Sequence, residues 1–479
     1  MYDSGGMMNE IKTLGQLKAS NYKERPIKVE MAENLSTKIR NNENLFPYIH
    51  GYDDTVVPQL INAILSGHNI VLLGEKGQAK SRIMRSLIHF LDESIPVLEG
   101  TEIPESPFAP ITSKGKKILA EFGDATELKW ISREERYGER LAPGAKIGDI
   151  IGDLDPSRIV GGEPLSSEGA IFFGLLPRMN RGIFAVNEMP DLDYLVQVSL
   201  FNILEESDIQ IRGIPIRFPL DVMVCFTANP EDYSRSGKII SQLKDRIGSE
   251  IRTHYPKSRK VGLDVTRQEI SLPISNPPVK VPEFIEEIIE EITIQARSSH
   301  LVNQKSGVSA RLSISNYEVA MSSARRRALK NREDNAIVRI TDLGNLFASC
   351  SGKIELDPYR DESISEYQVV LKLLDSATKI IFEEYYPLKK YTSNFNEISK
   401  QIYKLGKIEI SDQMPVIAYR DLLREIPGIW DLLHEKSYDK DDTLFVSAFE
   451  FILEGLTVNQ KLSRRRLGEI SSFKTVDLY

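Results

Sequence analysis

The sequence predicts an α/β core followed by a small helical lid domain and a mainly helical C-terminal region. Three observations carry this. Asn69–Leu73, Gly182–Val186 and Asp221–Phe226 are short apolar runs bounded by turn or polar residues, and read as buried strands. Helical patterns at Ser81–Leu91 and Leu192–Glu206 lie between them, and strands alternating with helices give an α/β layer fold. Beyond a proline-bearing connector the apolar spacing turns helical and stays so.

In chain order, residues 1–45 are polar and of mixed charge, with a weak helical pattern around Ile11–Leu17, and read as an N-terminal arm. Residues 46–260 form the α/β nucleotide-binding domain. Pro256, Pro273, Pro277 and Pro278 mark the connector, with the linker at 261–282, because no helix interior tolerates them. Residues 283–355 make the helical lid domain. It opens with Phe284, Ile285, Ile288, Ile289 and Ile292 on one stripe, and Glu283, Glu286, Glu287, Glu290 and Glu291 on a face expected to be solvated. Residues 356–479 are a helical region of unassigned role, as in Tyr367–Tyr386 and Phe445–Leu456. The basic clusters Ser323–Arg327 and Ser463–Arg466 are expected on helix faces.

Composition narrows the function. The 479 residues carry 61 Lys plus Arg against 69 Asp plus Glu, a net charge of −8, which disfavours a whole-surface nucleic-acid binder. Two cysteines exclude a disulfide framework and a four-cysteine zinc site, and fit a reducing cytosol. The six histidines show no metal-ligand spacing, so no metal is expected beyond a nucleotide's Mg²⁺. The longest apolar run, Ala170–Leu176, falls short of the roughly 20 residues of a membrane span. The N-terminus does not read as a signal peptide.

The run Gly74-Glu75-Lys76-Gly77-Gln78-Ala79-Lys80-Ser81-Arg82 follows an apolar strand and opens a helix, the context of a phosphate-binding P-loop. Its backbone amides would wrap phosphate oxygens, Lys80 would reach the β- and γ-phosphates, and Ser81 would ligate Mg²⁺. Ala79 stands where the general pattern has glycine, and its methyl is expected to fit a helix-start conformation. The bland alternative is a glycine turn before a basic helix. Ile183-Phe-Ala-Val-Asn187-Glu188 reads as an acidic strand end with asparagine in place of the usual aspartate. Asn187 keeps one acceptor oxygen toward Mg²⁺ and loses the charge, so Asn187→Asp is expected to lower the Mg²⁺ requirement. Glu188 keeps the water-polarising carboxylate. A third strand ends in Asn229, whose amide can bond both a γ-phosphate and the attacking water. Arg246 follows Asp245 at a helix end, and Arg311 begins a helix in the lid. For either arginine the plain alternative is a surface ion pair.

Taken in order, these pieces resemble an AAA+ ATPase, and more narrowly the ATPase (I-type) subunit of magnesium chelatase and its MoxR-type relatives. The narrower match rests on Gly77-Gln-Ala-Lys80-Ser81 and on the separation of 108 positions from Lys80 to Glu188. That interval holds Ile147–Pro156 and Gly169–Gly182, which look like the brackets of a helix-2 insert. Asn202–Pro219 looks like a presensor hairpin turning at Gly213. The resemblance implies a parallel sheet flanked by helices, with ATP and Mg²⁺ as cofactors. It implies Glu188 for catalysis, Asn229 as sensor 1, Arg246 as the arginine finger with Arg252 as second choice, and Arg311 as sensor 2. His50-Gly51-Tyr52 resembles the segment that packs against adenine. A homo-hexamer, a von Willebrand factor A-type partner and a cytoplasmic setting are implied as well.

Four functions compete. One is a ring motor that hydrolyses ATP slowly to remodel a partner protein or metal centre. The second is the ATPase component of metal insertion into a tetrapyrrole, for which the chain is long. The third is a nucleotide-gated scaffold with little hydrolysis, favoured by Asn187. A nucleic-acid motor has only Arg212 and Arg217 on the hairpin behind it, and paired arginines there read as solvated edge guards.

Overall fold

The computed structural model describes residues 11–476 apart from 163, 165–166, 212–215, 235–237, 360–362, 412, 442 and 468–469. The chain divides into two compact units, Met1–His254 and Tyr255–Tyr479.

The first unit is the expected α/β layer. Its sheet comprises β1 (Ile70–Leu73), β2 (Tyr137–Leu141), β3 (Gly182–Asn187), β4 (Val222–Ala228) and β5 (Ser249–Arg252), in the order β5-β1-β4-β3-β2. Every pairing in it is parallel. Both faces are covered, which is why β1, β3 and β4 read as unbroken apolar runs rather than alternating ones. Alternation sorts their side chains: Ile70, Leu72, Ile183, Ala185, Met223 and Cys225 join one cluster, and Val71, Leu73, Phe184, Val186, Val224 and Phe226 the other. On the first face lie α1 (Ile27–Arg40) and α2 (Lys80–Ser86), and on the second α3 (Tyr194–Glu206).

Over its described residues the N-terminal segment is part of this unit and not a separate arm. Ile27, Met31 and Leu35 of α1 are buried in the first-face cluster. Glu30 forms a buried ion pair with Arg136 at 2.6 Å, and the Ile27 N–H donates to Asp221 at 2.8 Å. The polar character of 1–45 hides this because the partners of its charges lie far along the chain.

The insert between the P-loop and the acidic strand holds a short antiparallel pair, Gly152–Leu154 with Ile171–Phe173. Asp208–Gln210 pairs antiparallel with Arg217–Pro219, as the hairpin reading expects. Its turn, with Arg212 and Gly213, lies outside the described residues. Arg217 bonds Asp208 across this hairpin at 3.3 Å.

The second unit is mainly helical: α4 (Arg259–Glu269), α5 (Glu283–Ser298), α6 (Arg311–Asn331), α7 (Glu366–Tyr385), α8 (Leu388–Leu405) and α9 (Leu444–Val458). One hydrophobic core runs from Phe284 to Phe473, so residues 283–355 and 356–479 share it. The connector carries α4 between its prolines. Arg267 and Arg259 of α4 pair with Glu286 and Glu291, so the α5 face expected in solvent is largely buried: Glu286, Glu290 and Glu291 are all inside. Ser323–Arg327 does lie on a helix, α6, yet Arg325 and Arg327 are buried, and Arg327 pairs with Asp342 at 2.7 Å. Ser463–Arg466 is not helical but lies on a strand, Leu462–Leu467, in a three-stranded antiparallel sheet with Ile408–Ser411 and Ile470–Thr475.

Candidate functional site

Because the five strands are parallel, their C-terminal ends share one edge. Register sets Leu73 opposite Ala228 and Arg252, and Val186 opposite Phe226. The residues that follow, Gly74, Asn229, Thr253 and the pair Asn187-Glu188, therefore emerge together, where open parallel sheets bind ligands.

The P-loop is braced from three sides. Gln78 is buried and its Oε1 accepts from the Glu75 N–H at 3.1 Å and from Thr253 Oγ1 at 2.8 Å. The Tyr52 hydroxyl donates within 3.0 Å of the Gln78 carbonyl and 2.7 Å of the His254 carbonyl. Burial pushes the Tyr52 phenol up to about 12, so it stays a donor. Gly74 has no room for a side chain: a Cβ there would lie 1.8 Å from Thr253 Oγ1 and 2.3 Å from Gln78 Oε1. Gly77 sits at φ 77°. Gly51, at φ 76°, precedes Tyr52, and Arg82 reaches back toward the Tyr48 carbonyl at 3.5 Å. Lys76 and Gly77 are exposed at the loop tip.

Ala79 departs from expectation. It does not start the helix but precedes it in the left-handed region, at φ 55° and ψ 14°. An L-residue pays about 1–2 kcal/mol for that conformation, which explains glycine as the general choice here. Lys80 then folds over the loop, donating to the Glu75 carbonyl at 2.7 Å and to the Gly74 carbonyl. Burial lowers its ammonium to about 8 against the opposing charges of Glu188 and Glu75.

Across the edge, Ser81 Oγ donates to Asn187 Oδ1 at 3.1 Å, and Thr227 Oγ1 donates to the same oxygen at 3.1 Å. Asn187 is buried, and its Nδ2 donates to Glu139 of β2. Burial opposes charge on Glu139, yet the Arg85 guanidinium, the Tyr137 hydroxyl and the Asn187 amide hold its carboxyl below the usual range. Arg85 meets it at 2.8 and 3.0 Å. Glu188 is exposed at φ 59°, a left-handed conformation that costs a residue with a Cβ. Its N–H is fixed by Thr227 Oγ1 at 3.1 Å. Asn229 Oδ1 accepts from the Glu231 N–H at 3.2 Å, and its Nδ2 has no protein partner among the described residues.

The structure thus brings together the loop, Ser81, Asn187, Glu188 and Asn229. Arg246 ends the helix Ser241–Asp245 and is bound on the surface to Glu205 and Asp245. Arg252 ends β5, beside the P-loop strand of its own chain. Arg311 begins α6 in the second unit, exposed. Sequence reading missed Thr253, Thr227 and Glu139. Thr253 follows a strand, Ser249–Arg252, that carries a single apolar residue and so shows no apolar run, and Glu139 reaches Asn187 only through strand register.

The donor set fits a Mg²⁺ nucleotide: a cradle that excludes a Cβ, a lysine on loop carbonyls, and a hydroxyl and amide oxygen in contact. No cluster of three His, Cys, Asp or Glu suited to a resident metal exists among the described residues. No protein-family model and no curated protein matches the chain. Among solved structures, NtrX from Brucella abortus in complex with ADP is 12% identical, with a TM-score of 0.39, over 86% of this chain and 71% of that one. A model of the BchI–BchD complex of magnesium chelatase is 19% identical, with a TM-score of 0.35, over 69% and 98%. A RuvB variant from Thermotoga maritima is 11% identical, with a TM-score of 0.35, over 89% and 93%. Likenesses at these identities and TM-scores identify no function.

Proposed function

We propose that the chain is an ATP-binding and ATP-hydrolysing protein of the AAA+ type that works as a slow ring motor on a partner protein or metal centre. The observation that carries this is the Ser81–Asn187 contact, with Lys80 and Glu188 on either side of it. In this reading Lys80 exchanges the Gly74 and Glu75 carbonyls for phosphate oxygens. The loop amides and Ser81 hold the remaining phosphate and the metal, which neutralises phosphate charge when bound. Glu188 orients and deprotonates the attacking water, and Asn229 Nδ2 holds water and γ-phosphate in line. Arg246, parked on Glu205, would act on the nucleotide of a neighbouring copy in a homo-hexamer, and Arg311 would report nucleotide state to the helical unit.

A cytoplasmic setting is part of the proposal: Cys225 and Cys350 are buried free thiols. Among the described residues no helix is long and apolar enough to cross a membrane. A von Willebrand factor A-type partner, or a tetrapyrrole chelation complex, rests on the motif resemblance alone. A nucleic-acid role has only Arg217 behind it among the described residues, and that side chain pairs with Asp208. The neutral Asn187 favours a second reading, a nucleotide-gated scaffold that hydrolyses little. Calorimetry tests the binding step shared by both. Lys80→Ala should lose most of its ATP affinity, because charge-assisted contacts are about twice as strong as neutral ones. Equal binding by wild type and variant would contradict the P-loop reading.

A further inference from the structure

Asn187 leaves the acidic strand end one charge short, and the neighbouring strand restores a carboxylate beside it. Glu139 of β2 stands opposite Ala185 of β3, two residues before Asn187. Strand alternation puts Glu139, Ala185 and Asn187 on the face that α2 covers. From there Glu139 accepts the Asn187 Nδ2 hydrogen bond and is held by Arg85 of α2. A carboxylate only accepts, so the amide must turn its NH₂ to Glu139 and its oxygen to Ser81 and Thr227. The two hydroxyls impose no such choice, since each can donate or accept. A flipped amide would aim N–H donors at the place where a cation and its waters need acceptors.

We propose that Glu139, its own charge paired with Arg85, is a positioning residue for the metal of the nucleotide site, locking Asn187 with its acceptor oxygen toward Ser81. This rests on the nucleotide reading above. It also reverses the expectation for Asn187→Asp. That substitution sets two carboxylates in contact, each without a proton to share, so alone it should harm the site. The reciprocal pair, Glu139→Gln with Asn187→Asp, keeps one charge and one amide with their places exchanged.

The test uses four full-length chains: wild type, Glu139→Gln, Asn187→Asp and the double variant. Two readouts are taken. One is thermal unfolding without nucleotide. The other is the Mg²⁺ concentration that half-saturates binding of a slowly hydrolysed ATP analogue, by calorimetry. Glu139→Gln should raise that concentration about tenfold, the scale of residues that orient metal ligands. Asn187→Asp should melt lower and gain nothing in Mg²⁺ requirement, and the double variant should return both values toward wild type. An unchanged Mg²⁺ requirement in Glu139→Gln, or a lower one in Asn187→Asp alone, would overturn the proposal. A wild type that binds no nucleotide would instead overturn the reading beneath it and the metal role together. The melting cycle then reports on the contact itself: rescue in the double variant supports the Glu139–Asn187 lock, and strictly additive changes overturn it.

Discussion

Nucleotide binding should draw a proton onto Lys80. Without nucleotide, this ammonium is folded onto the Gly74 and Glu75 carbonyls and burial holds it down to about 8. Phosphate oxygens would return it to at least its ordinary value of about 10.4. Uptake per nucleotide is then about 0.1 proton at pH 7, about 0.5 at pH 8 and about 0.9 at pH 9, and above pH 8 affinity should fall toward roughly tenfold per pH unit. The same shift acts on folding. Between about 8 and 10.5 the unfolded chain binds more protons at this site, so its contribution to stability rises with pH in that window, is full above about 10.5, and is lost as pH falls through about 8. The assay is calorimetry in two buffers of different ionisation enthalpy, from pH 7 to 9, on wild type and Lys80→Arg. The arginine stays charged throughout and should abolish the uptake. No uptake by wild type at pH 8, or the same uptake by Lys80→Arg, would refute the reasoning.

Ala79→Gly removes a Cβ held at φ 55°; after the entropy cost of glycine it should stabilise the first unit by about 0.5–1 kcal/mol in denaturant titration. Arg136→Met strands Glu30 in the interior and should cost about 3–5 kcal/mol, while the pair Glu30→Leu with Arg136→Met should recover most of it. Arg246→Ala should bind ATP within a few-fold of wild type yet lose turnover by about 10³-fold or more, as trans-acting arginines do. Glu205→Ala, which removes one of the two carboxylates holding Arg246, should keep turnover.

Much of the core was legible because its signals are contiguous. The P-loop is a single run after a strand, and β3 and β4 announce themselves as apolar runs with polar ends. What escaped depends on partners far apart in sequence. Glu30 and Arg136 are 106 residues apart, and neither has a local pattern that predicts burial of a charge. The glutamates of α5 look solvated until α4 supplies Arg259 and Arg267 as cover. Leu462–Leu467 carries three consecutive arginines, which periodicity cannot assign to helix or strand; its pairing with Ile470–Thr475 decides the matter. Ala79 shows the converse limit: the substitution is visible in sequence, but its backbone conformation is not.

Hydrolysis through Glu188 is the central claim, and phosphate release under saturating Mg²⁺–ATP tests it most directly. The wild type should release phosphate slowly but measurably. Glu188→Gln should release none above background while binding ATP as wild type does, because the amide keeps the shape of the side chain and loses the base. Equal phosphate release by wild type and Glu188→Gln would contradict the account, and no release by wild type, even with its native partner present, would leave the nucleotide-gated scaffold in its place.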